Sequence, residues 1–253
     1  MSTPIEPRLL AVAAVVVLGA LTFLPLPMGL LALAGVLALG IARRSPDLVH
    51  LGLIWGVLNL CAAVPGLPNL WPLTLLLGLG ASWALARGRP ALAGPWEGLR
   101  LGHITRRDLA WGLAFALTSG MALVLWFRVM APDVSDLLAR LPAWPRPALL
   151  GLGILFATAN GLAEELAFRG VLMGALDRSL GRRWSLVLQA VIFGLMHWNG
   201  FPRGPVGVVL AAVYGGMMGI IRRRADGLAA SWFSHVLTDA VIFAILISQG
   251  ASG

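Results

Sequence analysis

Along the chain, long apolar stretches alternate with short polar or proline-rich breaks. The apolar runs fall near 9–24, 28–42, 50–66, 70–86, 109–131, 147–176, 185–199, 205–221 and 229–248. The breaks include LPLP at 24–27, RRSPD at 43–47, PGLP at 65–68 and RGRP at 87–90, all of them sequences that end helices and favour turns. Several runs reach or approach the roughly 20 residues that a bilayer span needs. The pattern predicts an all-α, polytopic transmembrane helical bundle of eight or nine spans.

Composition supports this reading. The chain is 58% hydrophobic and 12% charged, with a mean hydropathy of +0.86, where a water-soluble globule carries roughly a quarter charged residues. A net charge of +8 would otherwise suggest a nucleic-acid partner. Here every basic side chain is an arginine, placed mainly in short loops between apolar runs, which is the mark of membrane topology and not of a nucleic-acid groove. The bilayer is the expected partner, and the Arg-, Ala- and Leu-rich usage suggests a GC-rich bacterial genome. The single cysteine, Cys61, lies in an apolar run, so neither an intrachain disulfide nor a cysteine metal cluster is expected.

Charge also sorts the loops. With nine spans, those after the second, fourth, sixth and eighth runs carry Arg43/Arg44, Arg87 to Arg107, Arg178/Arg182/Arg183 and Arg222 to Arg224. Loops after the first and third carry none, and the seventh is followed only by Arg203. The loop after the fifth holds Arg140 and Arg146, offset by Asp133 and Asp136. The positive-inside rule then puts the N-terminus in the cytoplasm and the C-terminal tail outside a bacterial cytoplasmic membrane. The first run superficially resembles a secretion signal but lacks a small-x-small cleavage site, so a retained first helix is expected. Residues 1–108 read as N-terminal transmembrane helices closed by an interfacial segment at 91–108. There Trp96 and the arginines should sit at headgroup level and His103 should be solvated. His50 is assigned no role. Residues 109–253 hold the candidate chemistry.

That chemistry begins inside the sixth run, in ATANGLAEELAFRGVLMGALDR at 157–178. An ionisable group at mid-bilayer costs about 2.5–3.5 kcal/mol on insertion scales, yet Glu164, Glu165 and Arg169 lie together. Glu165 and Arg169 are four apart, the favourable order for a helical ion pair. Glu164 points about 100° away and has no basic residue at i+3 or i+4, which makes it the spare carboxylate. Asn160, one turn earlier, shares its face and is placed to hydrogen-bond there. The seventh run carries His197 in FGLMHWN, and the ninth carries His235 and Asp239 on one helix face in SWFSHVLTDAV. Counted from the basic loops, Glu164 and His197 each lie about 13 residues in, roughly 20 Å deep, and His235 and Asp239 roughly 11–17 Å deep. Four groups from three helices can therefore meet. Gly215 and Gly219 in YGGMMG have the spacing of helix packing within a bundle, and IIRRR at 220–224 reads as a topology anchor with anionic-lipid contact.

Two chemistries suit Glu, His, His and Asp. In one, Glu164 and His197 activate water as general bases, and His235 and Asp239 stabilise an oxyanion. Asp239 can donate only when protonated; alternatively it stays ionised and orients a donating His235. In the other, Glu164, His197 and His235 hold zinc with water as fourth ligand. No His-Glu-x-x-His pattern supports that second option, so no cofactor is assigned.

EELAFRG at 164–170, FGLMH at 193–197 and HVLTD at 235–239 resemble the three motifs of the CPBP family, which comprises CAAX-type prenyl-protease relatives and bacteriocin-processing or immunity (ABI) homologues. Order and spacing match over about 145–248, which makes 109–253 a CPBP-like core. The resemblance implies a glutamate-type intramembrane endopeptidase, metalloprotease-like in its use of activated water. It implies Glu164 and His197 as activators of water, His235 and Asp239 as the oxyanion site, and Glu165 and Arg169 as a supporting pair. Prenyl proteases of eukaryotes typically carry Asn where this chain has Asp239. The expected substrate is a membrane-associated protein or peptide. A non-catalytic immunity or scaffold protein that keeps the fold is the alternative. A proton-relay transporter is disfavoured because no pair of broken helices occupies corresponding halves.

Overall fold

The computed structural model describes residues 5–250. Among them, the nine apolar runs correspond to nine helices: α1 (Ile5–Ala20), α2 (Leu26–Ala42), α3 (Pro46–Ala62), α4 (Leu73–Gly88), α5 (Arg106–Met130), α6 (Arg146–Leu180), α7 (Arg182–Met196), α8 (Gly204–Arg224) and α9 (Ala229–Gly250). No strand occurs among the described residues. Five segments (Glu6–Phe23, α5, α6, α8 and α9) are long and apolar enough to cross a membrane, and α2, α3 and α4 are shorter apolar helices. At 1.5 Å per residue the 17 residues of α2 or α3 extend about 26 Å, slightly less than a typical hydrocarbon core.

Local chemistry explains the boundaries. Thr105 caps α5 by accepting from the backbone N–H of Asp108 while Asp108 accepts from the N–H of Thr105, satisfying donors the first helical turn leaves open. Proline occupies an early position of α2, α3, α6 and α8, where its missing N–H costs nothing. Close helix pairs rely on glycine. A Cβ on Gly52 of α3 would lie 2.9 Å from the backbone nitrogen of Leu37, and one on Gly194 of α7 would lie 2.5 Å from the carbonyl oxygen of Val208. Gly215 and Gly219 face α7 at Ala190 and at Leu186 and Gln189, so the YGGMMG glycines pack helices within the bundle.

The core joins both halves of the chain: Leu18, Leu33, Trp55 and Leu75 pack in one cluster with Leu172, Phe193 and Met218. Outward, Leu113, Leu117, Met121 and Leu125 form an exposed stripe along α5. A stripe of that kind is costly in water and suited to lipid.

The loops divide between two ends as the charge pattern predicts. At the basic end Arg43 pairs with Glu6, Arg178 with Asp47, Arg223 with Asp177 at 2.8 Å and Arg100 with Asp226 at 3.1 Å. Arg100, Leu101 and His103 also bond through their backbones to 225–229. At the opposite end Arg203 reaches Asp136 at 2.9 Å, and Phe23 and Phe201 meet Trp198 and Trp126 edge-on. Two residues have partners that local pattern did not indicate. Trp96 is half-buried against the core and donates its indole N–H to Ser82 Oγ at 2.9 Å. His50 is fully buried, with Nδ1 2.7 Å from the same hydroxyl and Nε2 2.5 Å from the carbonyl oxygen of Leu92. It ties 90–96 to α3 and α4. Burying its ring unpaired would be costly, and those two contacts remove the cost.

Candidate functional site

The middle of α6 is not regular. Arg146–Glu164 is α-helical, Glu165–Leu172 is π-helical, and the α-helix resumes at Met173. Short π segments inside α-helices often mark functional sites. This one begins at the carboxylate pair, and both carboxylates reach one imidazole. His235 Nδ1 lies 2.9 Å from Glu165 Oε1, and its Nε2 lies 3.4 Å from Glu164 Oε2. Neighbouring side chains on a regular helix diverge by about 100°, so adjacency alone would not have paired them with a single ring.

Glu165 also faces Arg169 Nη1 at 3.1 Å, and both side chains are wholly buried. The guanidinium continues inward, where Nη2 donates to the carbonyl oxygen of Gly215 at 3.3 Å and the group lies 4.4 Å from the centre of the Phe193 ring. Gln189 donates to the same carbonyl at 2.9 Å. Glu165 is thus bound to both the arginine and the imidazole. Oε2 of Glu164 is buried without a hydrogen-bond partner in the protein. Oε2 of Glu165 is likewise without one; among the described residues Glu165 pairs with Arg169 and His235, and Glu164 pairs with His235 across the helix interface.

Asp239, one turn after His235 on α9, places Oδ1 3.7 Å from His235 Nε2. Its Oδ2 accepts from Nδ2 of Asn160 at 2.9 Å. The sequence pattern assigns Asn160 to Glu164; in the structure it serves Asp239, because α9 packs against that face of α6. The Oδ1 atom of Asn160 accepts from the indole N–H of Trp71 at 2.6 Å. Trp71, in the α3–α4 connection, is the contribution that inspection of the sequence missed. Nothing local marks it, since its partner is 89 positions away.

His197 stands apart. Its Nδ1 lies 2.8 Å from the carbonyl oxygen of Phe193, and the rings of the two residues are 4.5 Å apart. A carbonyl can only accept, so Nδ1 carries the hydrogen and Nε2 of the neutral ring is left as an acceptor. Among the described residues no carboxylate lies within ion-pair distance of His197, and no group of three or more His, Cys, Asp or Glu side chains is arranged to hold a metal ion. Phe193 bridges the gap, with its ring 6.2 Å from that of His235. The structure therefore joins Glu164, Glu165, Arg169, His235 and Asp239 directly and sets His197 beside them across one aromatic ring.

Such a cluster offers a buried carboxylate oxygen without a donor, an imidazole held at Nδ1, and a second carboxyl group. These are the elements of proton transfer to and from a bound water. Residues 144–241 match the family described as Type II CAAX prenyl endopeptidase Rce1-like. No curated protein and no solved structure matches the chain. The matched segment contains Glu164, Glu165, Arg169, His197, His235 and Asp239 and excludes Trp71.

Proposed function

We propose that the chain, whose residues 144–241 match the family of Rce1-like type II CAAX prenyl endopeptidases, is an intramembrane endopeptidase that hydrolyses a peptide bond of a membrane-associated protein or peptide. The observation that carries the reading is Oε2 of Glu164, buried without a hydrogen-bond partner, as is Oε2 of Glu165, but set beside Nε2 of His235, the nitrogen not engaged by Glu165. Holding a carboxylate oxygen there without a donor is expensive, and a substrate water would satisfy it.

In this reading Glu164 and His197 act as general bases on the water, and Nε2 of His197 is left as an acceptor by its bond to Phe193. The water oxygen attacks the carbonyl carbon as its proton passes to Glu164. The carbonyl oxygen becomes an oxyanion and accepts from Nε2–H of His235, which carries a hydrogen on both ring nitrogens, and from a protonated Asp239. Glu165 fixes the ring by accepting from Nδ1–H, and Arg169 holds Glu165. Collapse of the tetrahedral intermediate breaks the C–N bond, and the proton taken from water goes to the leaving amine. Residues 1–108 form the helices that close this core. The N-terminus lies in the cytoplasm of a bacterium, which puts the basic end on that side.

The test compares protein termini in membranes containing the wild-type chain or a Glu164→Gln variant of equal abundance. New termini that need Glu164 establish the peptidase and name its substrate. Matching profiles under several growth conditions refute the reading and leave an immunity or scaffold protein.

A further inference from the structure

The Trp71–Asn160–Asp239 chain has a directionality that its donors and acceptors dictate. An indole nitrogen only donates. The Asn160 atom 2.6 Å from it must therefore be the amide oxygen, which turns the amide nitrogen toward Asp239. That nitrogen only donates, so the Asp239 oxygen it meets at 2.9 Å must accept. The other oxygen, Oδ1, is the one left facing His235 Nε2 at 3.7 Å. Without the indole, Asn160 could turn over and present its oxygen to the carboxylate.

We propose that Trp71 and Asn160 are positioning residues of the hydrolytic site: the indole fixes the amide, the amide holds Oδ2 of Asp239 as an acceptor, and Oδ1 becomes the atom turned to the reacting carbonyl. The N-terminal helices thereby set the orientation of a group in the family-matched core. The proposal rests on the hydrolytic reading and adds to it which oxygen of Asp239 carries the donated hydrogen. It also changes what substitution at 239 should do. In Asp239→Asn the new side chain must offer its oxygen to Asn160, which turns its NH2 toward the substrate as a donor. In the exchanged pair Asn160→Asp/Asp239→Asn the hydrogen bond between the two positions survives with its direction reversed. The carboxylate then standing at position 160 accepts both from Trp71 and from the amide at position 239. That amide turns its oxygen, a non-donor, to the substrate.

The experiment measures the initial rate at which Glu164-dependent termini appear in membranes holding the full-length chain. The variants are Trp71→Phe, Asp239→Asn, the exchanged pair, and Trp96→Phe as a control. Trp96→Phe deletes an indole bond of similar length, to Ser82, outside the Trp71–Asn160–Asp239 chain. Trp71→Phe should slow cleavage about tenfold, the upper range for losing a hydrogen bond between neutral groups, and Trp96→Phe should not slow it. Asp239→Asn should retain measurable cleavage, and the exchanged pair should lose it while unfolding at the same temperature as Asp239→Asn. A purely structural hydrogen bond would tolerate the exchange. Equal rates for Asp239→Asn and the exchanged pair, or a wild-type rate for Trp71→Phe, overturn the proposal with the peptidase reading intact. Identical termini in wild type and Glu164→Gln remove the peptidase reading itself, and this proposal with it.

Discussion

Substituting Arg169 by methionine should expose how much the supporting pair contributes. The change leaves Glu165 wholly buried without the guanidinium it faces at 3.1 Å. Breaking a buried ion pair from one side costs about 3–5 kcal/mol, chiefly because the surviving charge is stranded. Two neighbouring contacts place this case within that range. Glu165 keeps His235 Nδ1 at 2.9 Å, which draws the cost toward the lower end. The contact with the Phe193 ring at 4.4 Å is also lost, and such contacts contribute about 0.5–2 kcal/mol depending on desolvation. The carbonyl of Gly215 adds no penalty, because Gln189 still donates to it. The expected loss is about 4 kcal/mol. Adding Glu165→Gln removes the stranded charge, so the double variant should regain about half of that loss or more. Reversible unfolding of the purified full-length protein in mixed micelles measures both. A loss below about 1 kcal/mol for the single variant, or a double variant less stable than the single one, would show that Arg169 does not neutralise a buried charge on Glu165.

Three further outcomes are expected. Gly194→Ala puts a Cβ 2.5 Å from the carbonyl oxygen of Val208 and 2.7 Å from Cβ of Ala212; forcing α7 from α8 should cost about 1–3 kcal/mol in the same unfolding assay, and a neutral result would show that the pair can separate freely. At the less basic end, the Arg203 guanidinium holds the carboxyl of Asp136 below the usual carboxylate range. The pair therefore stabilises above the unfolded value of about 3.9 and loses its effect as pH falls through the lower folded value. Asp136 is half exposed, so the effect should stay below about 1 kcal/mol. Arg203→Gln should flatten the melting profile over that acid range, and an unchanged profile would count against the pair. In a Cys61→Ala background, Ser45→Cys should react with an impermeant maleimide only from the cytoplasmic side and Ser135→Cys only from outside. A reversed result overturns the orientation, and labelling of both from one side overturns the assignment of loops to two ends.

Nine runs became nine helices because each break is chemically abrupt. Pro and Gly at 25–27 and 65–68, and arginine doublets or triplets at 43–44 and 222–224, end an apolar stretch within a turn. Some of the boundaries that shifted did so where charge sits inside a helix. Glu6 and Arg8 belong to α1 although they precede its apolar run, because an anion near a helix start is electrostatically favourable. His50 looked idle because its partners, Ser82 and the Leu92 carbonyl, lie 32 and 42 positions away. Local pattern contains no trace of such contacts. The same limit hid Trp71 and misdirected Asn160. Glu165–Arg169 was legible because it is a contact within one helix at i, i+4.

The carboxylate pair shows how a local rule can isolate the right residue and still miss its surroundings. Counting partners along α6 leaves Glu164 unpaired, and in the structure its Oε2 has no hydrogen-bond donor. The same count places Glu165 and Glu164 on diverging faces, yet both approach His235. The π segment that begins at Glu165 departs from the α-helical angle on which that count relied. With Nδ1 turned to Glu165, the imidazole has one remaining nitrogen, and that nitrogen lies 3.4 Å from Glu164 and 3.7 Å from Asp239. A supporting carboxylate on one edge of the ring thus determines which edge faces the unpartnered oxygen. That is why Glu165→Gln should impair cleavage even though Gln keeps an acceptor for Nδ1–H. Its amide can also turn a donor to the ring, and the orientation of His235 would no longer be unique.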